Sequence, residues 1–376
     1  MTANRILPRT TSPTSLVASC APLLGFVPAD CVVAFVLGVP DRPGPVLVRL
    51  DLGDPDQAAD RADELAAGIA GTGGTAVDLV AWVDAVDDAT RLELPSEMLL
   101  DELDARLYEL GVDVTASLST NGRVWWSHDC PDLLCCGGSR PLDEDVLSTV
   151  RAEYVYAGYA PLASRDELAA RLARDEARSA AVAPRLGSRR APANLERWRE
   201  AQIGFLTGLL VPDRARRLAG SAATGSSRRD AGLPIPAADV LRALRGLADV
   251  RVRDVVLRRL IVADQSAADA WRHTVALLED LVRCAPAGAG APAATLLGIV
   301  TWMRGEGAQA TIALARAEED DPKYRLAELT RQVITRGTDP AAWRATMSTL
   351  TEAECRGRAS ARQRPRGPRR GPLRRI

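Results

Sequence analysis

The chain has 376 residues, enough at about 150 residues per domain for two or three domains with sizeable cores. Its hydrophobic fraction of 47% and charged fraction of 26% are those of an ordinary soluble protein. This composition excludes a collagen-like chain, a disulfide miniprotein and an integral membrane bundle. The formal net charge is −1, but the last 21 residues carry nine arginines and no acid, so the remainder carries −10. The sequence therefore predicts an acidic body followed by a basic tail.

The cysteine pattern and the absence of a targeting segment indicate the cytoplasm. Seven cysteines cannot all pair, and their spacing is not that of a small disulfide framework, which favours a reducing compartment. The apolar stretch Leu16–Val39 is interrupted by Pro22, Pro28 and Asp30, and a spanning helix needs about 20 apolar residues. No apolar export segment precedes Cys20. We therefore expect a cytoplasmic protein with no membrane contact.

Strands and helices alternate in the front half of the chain. Short β-branched runs predict strands, segments with helical spacing predict helices, and Asn121-Gly122 between two strand-like runs predicts a hairpin. The predicted strands are Cys31–Leu37, Val46–Asp51, Ala76–Val83, Val112–Leu118 and Arg123–Trp126, and the predicted helices are Asp54–Ala70, Ser96–Leu110, Glu144–Ala157 and Ser164–Ala181. This order predicts an α/β domain with a mixed sheet.

The back half shows helical spacing only. A stretch over 183–236, rich in Ala, Arg, Ser, Gly and Pro, predicts a linker around one short helix at Ile203–Val211. From Ala237 onward, successive helices with short joints predict antiparallel hairpins in an all-α domain. The predicted division is an α/β domain at 1–182, the linker at 183–236, a helical domain at 237–352, and a disordered Arg-rich tail at 353–376.

One segment of the helical part resembles a tetratricopeptide repeat. The residues that carry the likeness are Leu297, Gly298, Gly305, Ala310, Ala317 and Pro322. Small residues at these positions let two antiparallel helices approach closely, and the proline ends the second helix. Ala294, Thr301 and Leu314 depart from the repeat pattern, and no clear second copy precedes the segment. Either the neighbouring repeats are degenerate, or a single helical hairpin has converged on this spacing.

The chain as a whole resembles an actinobacterial family known as domain of unknown function 4192. The likeness covers most of Leu16–Trp343, and its segments are Leu23–Asp30 (LLGFVPAD), Trp125–Cys130 with Cys135-Cys136, Ala160–Arg165 (APLASR) and Trp302–Ala308 (WMRGEGA). Two positions depart from the family pattern: His128 stands where Tyr is usual, and Gly137 where Pro is usual. The resemblance implies a shared fold and a bacterial cytosolic setting. It implies no activity.

The densest group of soft metal ligands is a candidate zinc site formed by His128, Cys130, Cys135 and Cys136. Tetrahedral zinc takes thiolate and imidazole donors, and one turn could gather three of these. Adjacent cysteines point apart on an extended chain, and a fourth ligand is not evident. One alternative is that the thiols pack as small hydrophobes under the Trp125-Trp126 strand. Another is a reactive thiol, for which Arg123, Arg140 and His128 are the cations nearest in sequence.

Other catalytic motifs are missing from the sequence. The glycines between Gly68 and Gly74 close a predicted helix instead of opening one, which favours a turn over a phosphate loop. Lys323 is the single lysine, which excludes a Walker A motif, and His273 is the one histidine besides His128. The arginine tail could contact nucleic acid weakly, but it has no aromatic residue to stack on bases.

These observations predict a binding or scaffold protein of otherwise unknown function, without a catalytic constellation and with no cofactor except the candidate zinc. We expect the helical residues after 237 to contact a protein partner. The alternative is an enzyme, or a small-ligand or metal-binding protein, with a site near Trp125, Cys130 and Cys135.

Overall fold

The computed structural model describes residues 12–40, 44–130, 132–157, 159–187, 192–211, 235–263 and 268–357. Contacts within the chain divide it into two compact units, the first comprising Met1–Asp175 with Ala293–Pro340 and the second Glu176–Pro292 with Ala341–Ile376. A mixed sheet with helices is followed by an all-helical part. The fold class predicted from the sequence is therefore confirmed.

A mixed sheet lies at the centre of the first unit. Its strands within the described residues are β1 (Cys31–Leu37), β2 (Val46–Asp51), β3 (Ala76–Trp82), β4 (Asp113–Thr120), β5 (Val124–Ser127) and β6 (Arg140–Pro141). They lie in the order β2-β1-β3-β4-β5-β6. β3 and β4 pair in parallel, and the other neighbouring pairs are antiparallel. The predicted hairpins β1–β2 and β4–β5 are both present.

Two amphipathic helices cover one face of the sheet, α2 (Ala58–Gly71) and α3 (Glu97–Glu109). Alternate residues of β1 point toward them, because side chains alternate between the two faces along a strand. The buried cluster on this face includes Val32, Ala34, Val36, Leu65, Ile69, Leu79, Leu103 and Leu107. The predicted helix start at Asp54 is a short 3-10 turn over Pro55–Gln57 that leads into α2.

Helix α1 (Pro13–Leu24), which the sequence patterns did not predict, packs against α5 (Glu144–Tyr156) on the other face. Its Cys20 lies within electrostatic range of Cys31 on β1, whose side chain faces away from the α2–α3 layer. A proline in the first helical turn is compatible with a helix, and the Ser12 side chain accepts a hydrogen bond from the Ser15 backbone at 3.2 Å. The N-terminal polar residues are therefore a helix start.

Residues 293–340 are grouped with the sheet, whereas the sequence assigned them to a separate helical domain beginning at 237. They include most of α12 (Ala291–Met303), together with α13 (Gly307–Asp320) and α14 (Arg325–Thr335). The backbones of Gly71 and Gly337 meet so closely that a Cβ on Gly337 would lie 2.7 Å from the Gly71 carbonyl carbon. Helical spacing predicts these helices but not the core on which they pack.

The small residues of the repeat-like segment make the close contact that their spacing predicted. A Cβ on Gly298 would lie 3.0 Å from Leu314 Cγ and 3.1 Å from the Ala310 carbonyl oxygen. Ala310 and Ala317 are fully buried, and Pro322 follows the end of α13. The likeness to a tetratricopeptide repeat itself stays a prediction.

The second unit is all-helical within the described residues. Its helices are α7 (Glu176–Gly187), α8 (Leu195–Leu210), α9 (Ala237–Leu247), α10 (Val250–Val262), α11 (Ala268–Cys284), α15 (Pro340–Thr349) and α16 (Glu352–Cys355). Asp249 caps α10 and pairs with Arg199 of α8 at 2.9 Å, and Arg259 pairs with Glu352 at 2.7 Å. Helix α8 lies within the predicted linker and begins eight residues before Ile203, where the sequence placed a short helix.

Three further predictions concern the C-terminal tail, membrane-spanning helices and the helix at Ser164–Ala181. The disordered tail was expected from residue 353, but Glu352–Cys355 form helix α16, and residues 358–376 lie outside the described part. Among the helices described, none combines the length and the apolarity that a membrane crossing demands. The predicted helix at Ser164–Ala181 divides into α6 (Arg165–Ala170) and α7.

Candidate metal centre

Three of the four predicted ligands lie together just beyond β5. The Sγ atoms of Cys130, Cys135 and Cys136 all lie within 4.8 Å of one another, and Cys135 and Cys136 are separated by 3.5 Å. Cys135 is exposed, and the other two are partly exposed. For comparison, sulfurs bonded to one tetrahedral zinc at about 2.3 Å lie about 3.8 Å apart. We call residues 130 and 132–137 the thiol turn.

A short helix explains how adjacent cysteines approach the same point. Cys135 and Cys136 end the one-turn helix α4 (Leu133–Cys136), whereas the sequence argument had assumed an extended chain. Asp132 caps this helix by accepting hydrogen bonds from the backbone N–H groups of Leu134 and Cys135. Gly137 follows without a side chain, since a Cβ there would collide with the Leu133 carbonyl. The local sequence thus forms a tight turn with its thiols facing outward.

One cation contacts the sulfurs directly. A guanidinium nitrogen of Arg140, on β6, lies 3.5 Å from Cys136 Sγ, and the same group lies over the Trp125 ring at 5.3 Å. Three thiolates around a divalent ion carry a net charge of −1, which one guanidinium offsets. Arg123, the other arginine considered at the sequence level, instead pairs with Asp87 at 2.9 Å.

His128 does not join the thiols. Its side chain is only 4% exposed, and its Nε2 lies 2.8 Å from Ser119 Oγ, which in turn lies 2.8 Å from Ser96 Oγ. Burial, with a smaller effect of Arg91, lowers the pKa of His128 to about 4. The predicted four-ligand set is therefore incorrect at this position, because the imidazole points into the core of the first unit.

The neighbours of His128 resemble a catalytic triad in composition but not in access. Ser119 is fully buried, so no substrate reaches its hydroxyl. His128 Nδ1 lies 3.0 Å from Glu97 Oε2, but the two atoms are not aligned for a hydrogen bond. A triad requires an oriented imidazole and an accessible nucleophile. This arrangement is consequently a packing network.

Arg91 connects this network to the thiol turn, a connection that the sequence did not indicate. Its Nε donates to Glu97 Oε1 at 2.9 Å, and one of its terminal nitrogens donates to the Cys130 carbonyl oxygen at 2.9 Å. Its backbone N–H donates to the Gly137 carbonyl oxygen at 2.8 Å. Arg91 therefore holds both ends of the thiol turn. Its 39-residue separation from Cys130 explains why local patterns gave no signal.

The two tryptophans have different surroundings. Trp126 is fully buried and donates from Nε1 to the Ala89 carbonyl oxygen at 2.8 Å, whereas Trp125 is partly exposed beside Arg140. The three thiols are not buried beneath this strand. The buried cysteines of the described part are Cys20, Cys31 and Cys284, and burial raises the pKa of the Cys20 and Cys31 thiols.

The comparison with known families covers both the sheet and the thiol turn. A family model described as "Domain of unknown function (DUF4192)" matches residues 13–341. The chain belongs to the DUF4192 family. No curated protein and no solved structure matches it. In this DUF4192 chain, two segments quoted above meet in space: Val27 N–H donates to the Leu162 carbonyl oxygen at 3.0 Å, and Leu162 N–H donates to the Gly25 carbonyl oxygen at 2.9 Å.

Proposed function

We propose that this DUF4192 protein binds one zinc ion through Cys130, Cys135 and Cys136. The observation that carries the proposal is the approach of three sulfurs to within 4.8 Å on an exposed turn. Three protein ligands leave a fourth tetrahedral position for water or a substrate, which is the pattern of zinc sites that act on ligands and not of closed structural sites. Thiolates also suit copper(I), the other soft ion of similar size.

The buried network supports this proposal because it orders the turn before an ion arrives. Arg91 contacts the carbonyl groups of Cys130 and Gly137, and Ser139 Oγ donates to the Asp87 carbonyl oxygen at 2.5 Å. Groups that orient metal ligands are worth about tenfold to a hundredfold in affinity. A preorganised turn loses less conformational entropy on binding than a mobile one.

Metal analysis of the untagged protein, with a matched cysteine variant, tests the proposal. We expect about one zinc per chain in the wild type and in Cys355→Ser, and none in Cys135→Ser. Cys355 is also partly exposed and lies in α16, so its removal controls for the loss of any thiol. Zinc should also slow the reaction of three thiols with a thiol reagent, and a chelator should restore it. Unprotected thiols, or equal metal content in both variants, would contradict zinc binding.

A separate experiment with copper(I) tests whether zinc is the ion that the three thiols bind. Anaerobic competition for copper(I) and for zinc against chromophoric chelators gives both affinities. Binding of copper(I) with no measurable zinc would overturn the assignment of zinc. Binding of neither ion would overturn the metal site itself.

A scaffold role for the residues after 237 stays a second proposal, supported by apolar side chains exposed on one helix of the second unit. Val250 is 56% exposed and Val262 is 40% exposed, both on α10. A partner contacted there should be lost with Val250→Asp and Val262→Asp combined, while the melting temperature is retained. Co-purification of the same partner at the same yield with the wild type and with the double variant would contradict this role.

The origin and the location of the protein also remain proposals. The DUF4192 match shows the family, and the actinobacterial, cytoplasmic setting rests on the sequence resemblance and on the cysteine pattern. Fractionation of the source cells, with the protein followed by antibody, tests the location. Recovery with the membrane or the culture medium would contradict it.

A further inference from the structure

A cleft of about 760 Å³ opens at one edge of the sheet, entirely within the first unit. Helices α1 and α5 contribute apolar walls, including Val17 and Val155, and Trp82 of β3 also lines the cleft. Ligand-binding clefts of this size are lined mostly by apolar groups with a few placed polar ones. In sheets with parallel strands they lie beyond the carboxyl ends of those strands. This cleft lies at the carboxyl ends of the parallel pair β3 and β4.

The strand register brings charged side chains to this edge. Trp82 pairs with Cys31 on one side and with Thr120 on the other. Asp30, which precedes Cys31, and Asp84, two residues beyond Trp82, therefore leave neighbouring strands at the same end of the sheet. Both carboxylates line the cleft and are exposed to it.

The charges that line the cleft differ in whether they are already paired. Arg123 is engaged by Asp87, and the Asn121 amide is used by the hairpin turn and by Asp87. Asp30, Asp84 and Arg151 form no ion pair or side-chain hydrogen bond with another described residue. Arg151 lies four residues before Val155 on α5, so both occupy the same face of that helix. Two carboxylates and one guanidinium remain for a ligand.

The backbone at Asp30 is held in an uncommon conformation. Its φ of +44° is the one left-handed value among the non-glycine residues described, and its carbonyl accepts a hydrogen bond from Leu52 N–H at 2.9 Å. Such conformations are uncommon in non-glycine residues and cluster at ligand sites. The conformation fixes where the Asp30 side chain leaves the chain.

We propose that this cleft binds a small zwitterion, with an amine at Asp30 and Asp84, an acidic group at Arg151 and an apolar body along Val17 and Trp82. We take the cation to be an amine and not a metal ion, because in the described residues the three-ligand group with metal-ligand spacing is that of the cysteines and includes neither acid. Opposite charges at the two ends select a ligand with both groups over one with either alone, because the unmatched charge of the cleft would stay unpaired. The proposal is independent of the thiol turn.

Calorimetric titration of the full chain with a length series of ω-amino acids tests the inference. The probes are glycine, β-alanine, γ-aminobutyrate, δ-aminovalerate and ε-aminocaproate, compared with putrescine, cadaverine, succinate and glutarate. We expect saturable binding of at least one ω-amino acid, about tenfold tighter than the diamine or diacid of similar length. The best length reports the separation between the acidic and basic groups.

Substitutions in the cleft test which side chain binds the amine of the ligand and which binds its acidic group. Asp84→Asn should weaken the ω-amino acid and the diamine by about tenfold, and Arg151→Gln should weaken the ω-amino acid but not the diamine. Asp88→Asn, a nearby exposed acid outside the lining, is the control and should change neither. Melting temperatures confirm that each variant is folded. Absence of saturable binding in all three series, or equal affinities in Asp84→Asn, Arg151→Gln and Asp88→Asn, would overturn the proposal.

Discussion

At the scale of single residues, the buried Arg91–Glu97 pair predicts a large effect on the stability of the first unit. The two side chains are 11% and 10% exposed, and their closest atoms lie 2.9 Å apart. Burial raises the pKa of Glu97, while Arg91 opposes that rise. Arg91→Met should lower the free energy of unfolding by about 3–5 kcal/mol, because it leaves a buried carboxylate without its partner. Urea denaturation measures the loss.

The double variant Arg91→Met with Glu97→Gln separates charge from packing. It removes both members of the pair, so it should recover at least half of the lost stability. If Arg91→Met costs no more than a surface substitution, of about 0.5 kcal/mol, the pair is not buried in solution. In the stable double variant, zinc affinity should still fall by about tenfold, since the Cys130 carbonyl has lost its donor.

Asp280 in the second unit predicts a dependence of stability on pH. Burial raises the pKa of Asp280, but hydrogen bonds from Arg178 and from the Ile235 backbone N–H outweigh it and hold that pKa below its ordinary value of 3.8. A lowered carboxyl pKa contributes stability above the unfolded value and loses it as pH falls through the folded value. The free energy of unfolding should therefore decrease as pH falls below about 4.

Asp280→Asn removes this dependence. The variant loses charge-assisted hydrogen bonds, one of 3.0 Å to Arg178 and one of 2.8 Å to Ile235, and should be about 2 kcal/mol less stable at neutral pH. The difference from wild type should shrink as the solution is acidified toward about pH 3. Asp254→Asn, which alters the pair with neighbouring Arg253, serves as the control and should keep the wild-type slope. Parallel curves for wild type and Asp280→Asn would refute the assignment.

At the scale of elements, the glycine contact between α2 and the end of α14 predicts opposite signs for two similar substitutions. Gly71→Ala would place a Cβ against the Arg336 carbonyl, so it should cost about 1–3 kcal/mol. Gly204 lies inside α8 with no atom within 4 Å of an added Cβ, so Gly204→Ala should stabilise by about 0.5–1 kcal/mol. Thermal melts compare them, and equal shifts of the same sign would contradict the close approach.

The sequence predicted the individual strands and helices of the first unit better than it predicted which of them pack together. The β1 bounds follow from a short β-branched run, and the β4–β5 hairpin follows from the turn residues Asn121-Gly122; both signals are local. Helix α1 was missed because its first turn contains Pro13 and polar residues, which read as a coil unless the Ser12 cap is recognised. The cap and the proline were the available signal.

The thiol site was predicted only in part, because local spacing can be read from the sequence and contacts between distant elements cannot. Cysteine spacing placed three thiols in one turn, and the structure brings Cys130, Cys135 and Cys136 together. His128 and Arg91 could not be assigned, because their roles depend on contacts with Ser119 and with Cys130 that cross between elements. Spacing alone does not show which face of the sheet the side chain of a histidine two residues before a cysteine points to. That face is determined only once the strand register is known.

At the scale of the whole molecule, the position of residues 293–340 changes how the chain can be divided. They are grouped with the sheet unit, and α13 contacts both β2 and α6. A chain truncated after 236 therefore removes α12 to α14 from that unit and exposes the surfaces they cover. We expect the truncated chain to aggregate or to be cleaved rapidly by protease. Loss of a partner on truncation would then report misfolding, so point substitutions on α10 are the better probe. A soluble 1–236 chain with a cooperative melt and wild-type protease resistance would show that the sheet does not need these helices.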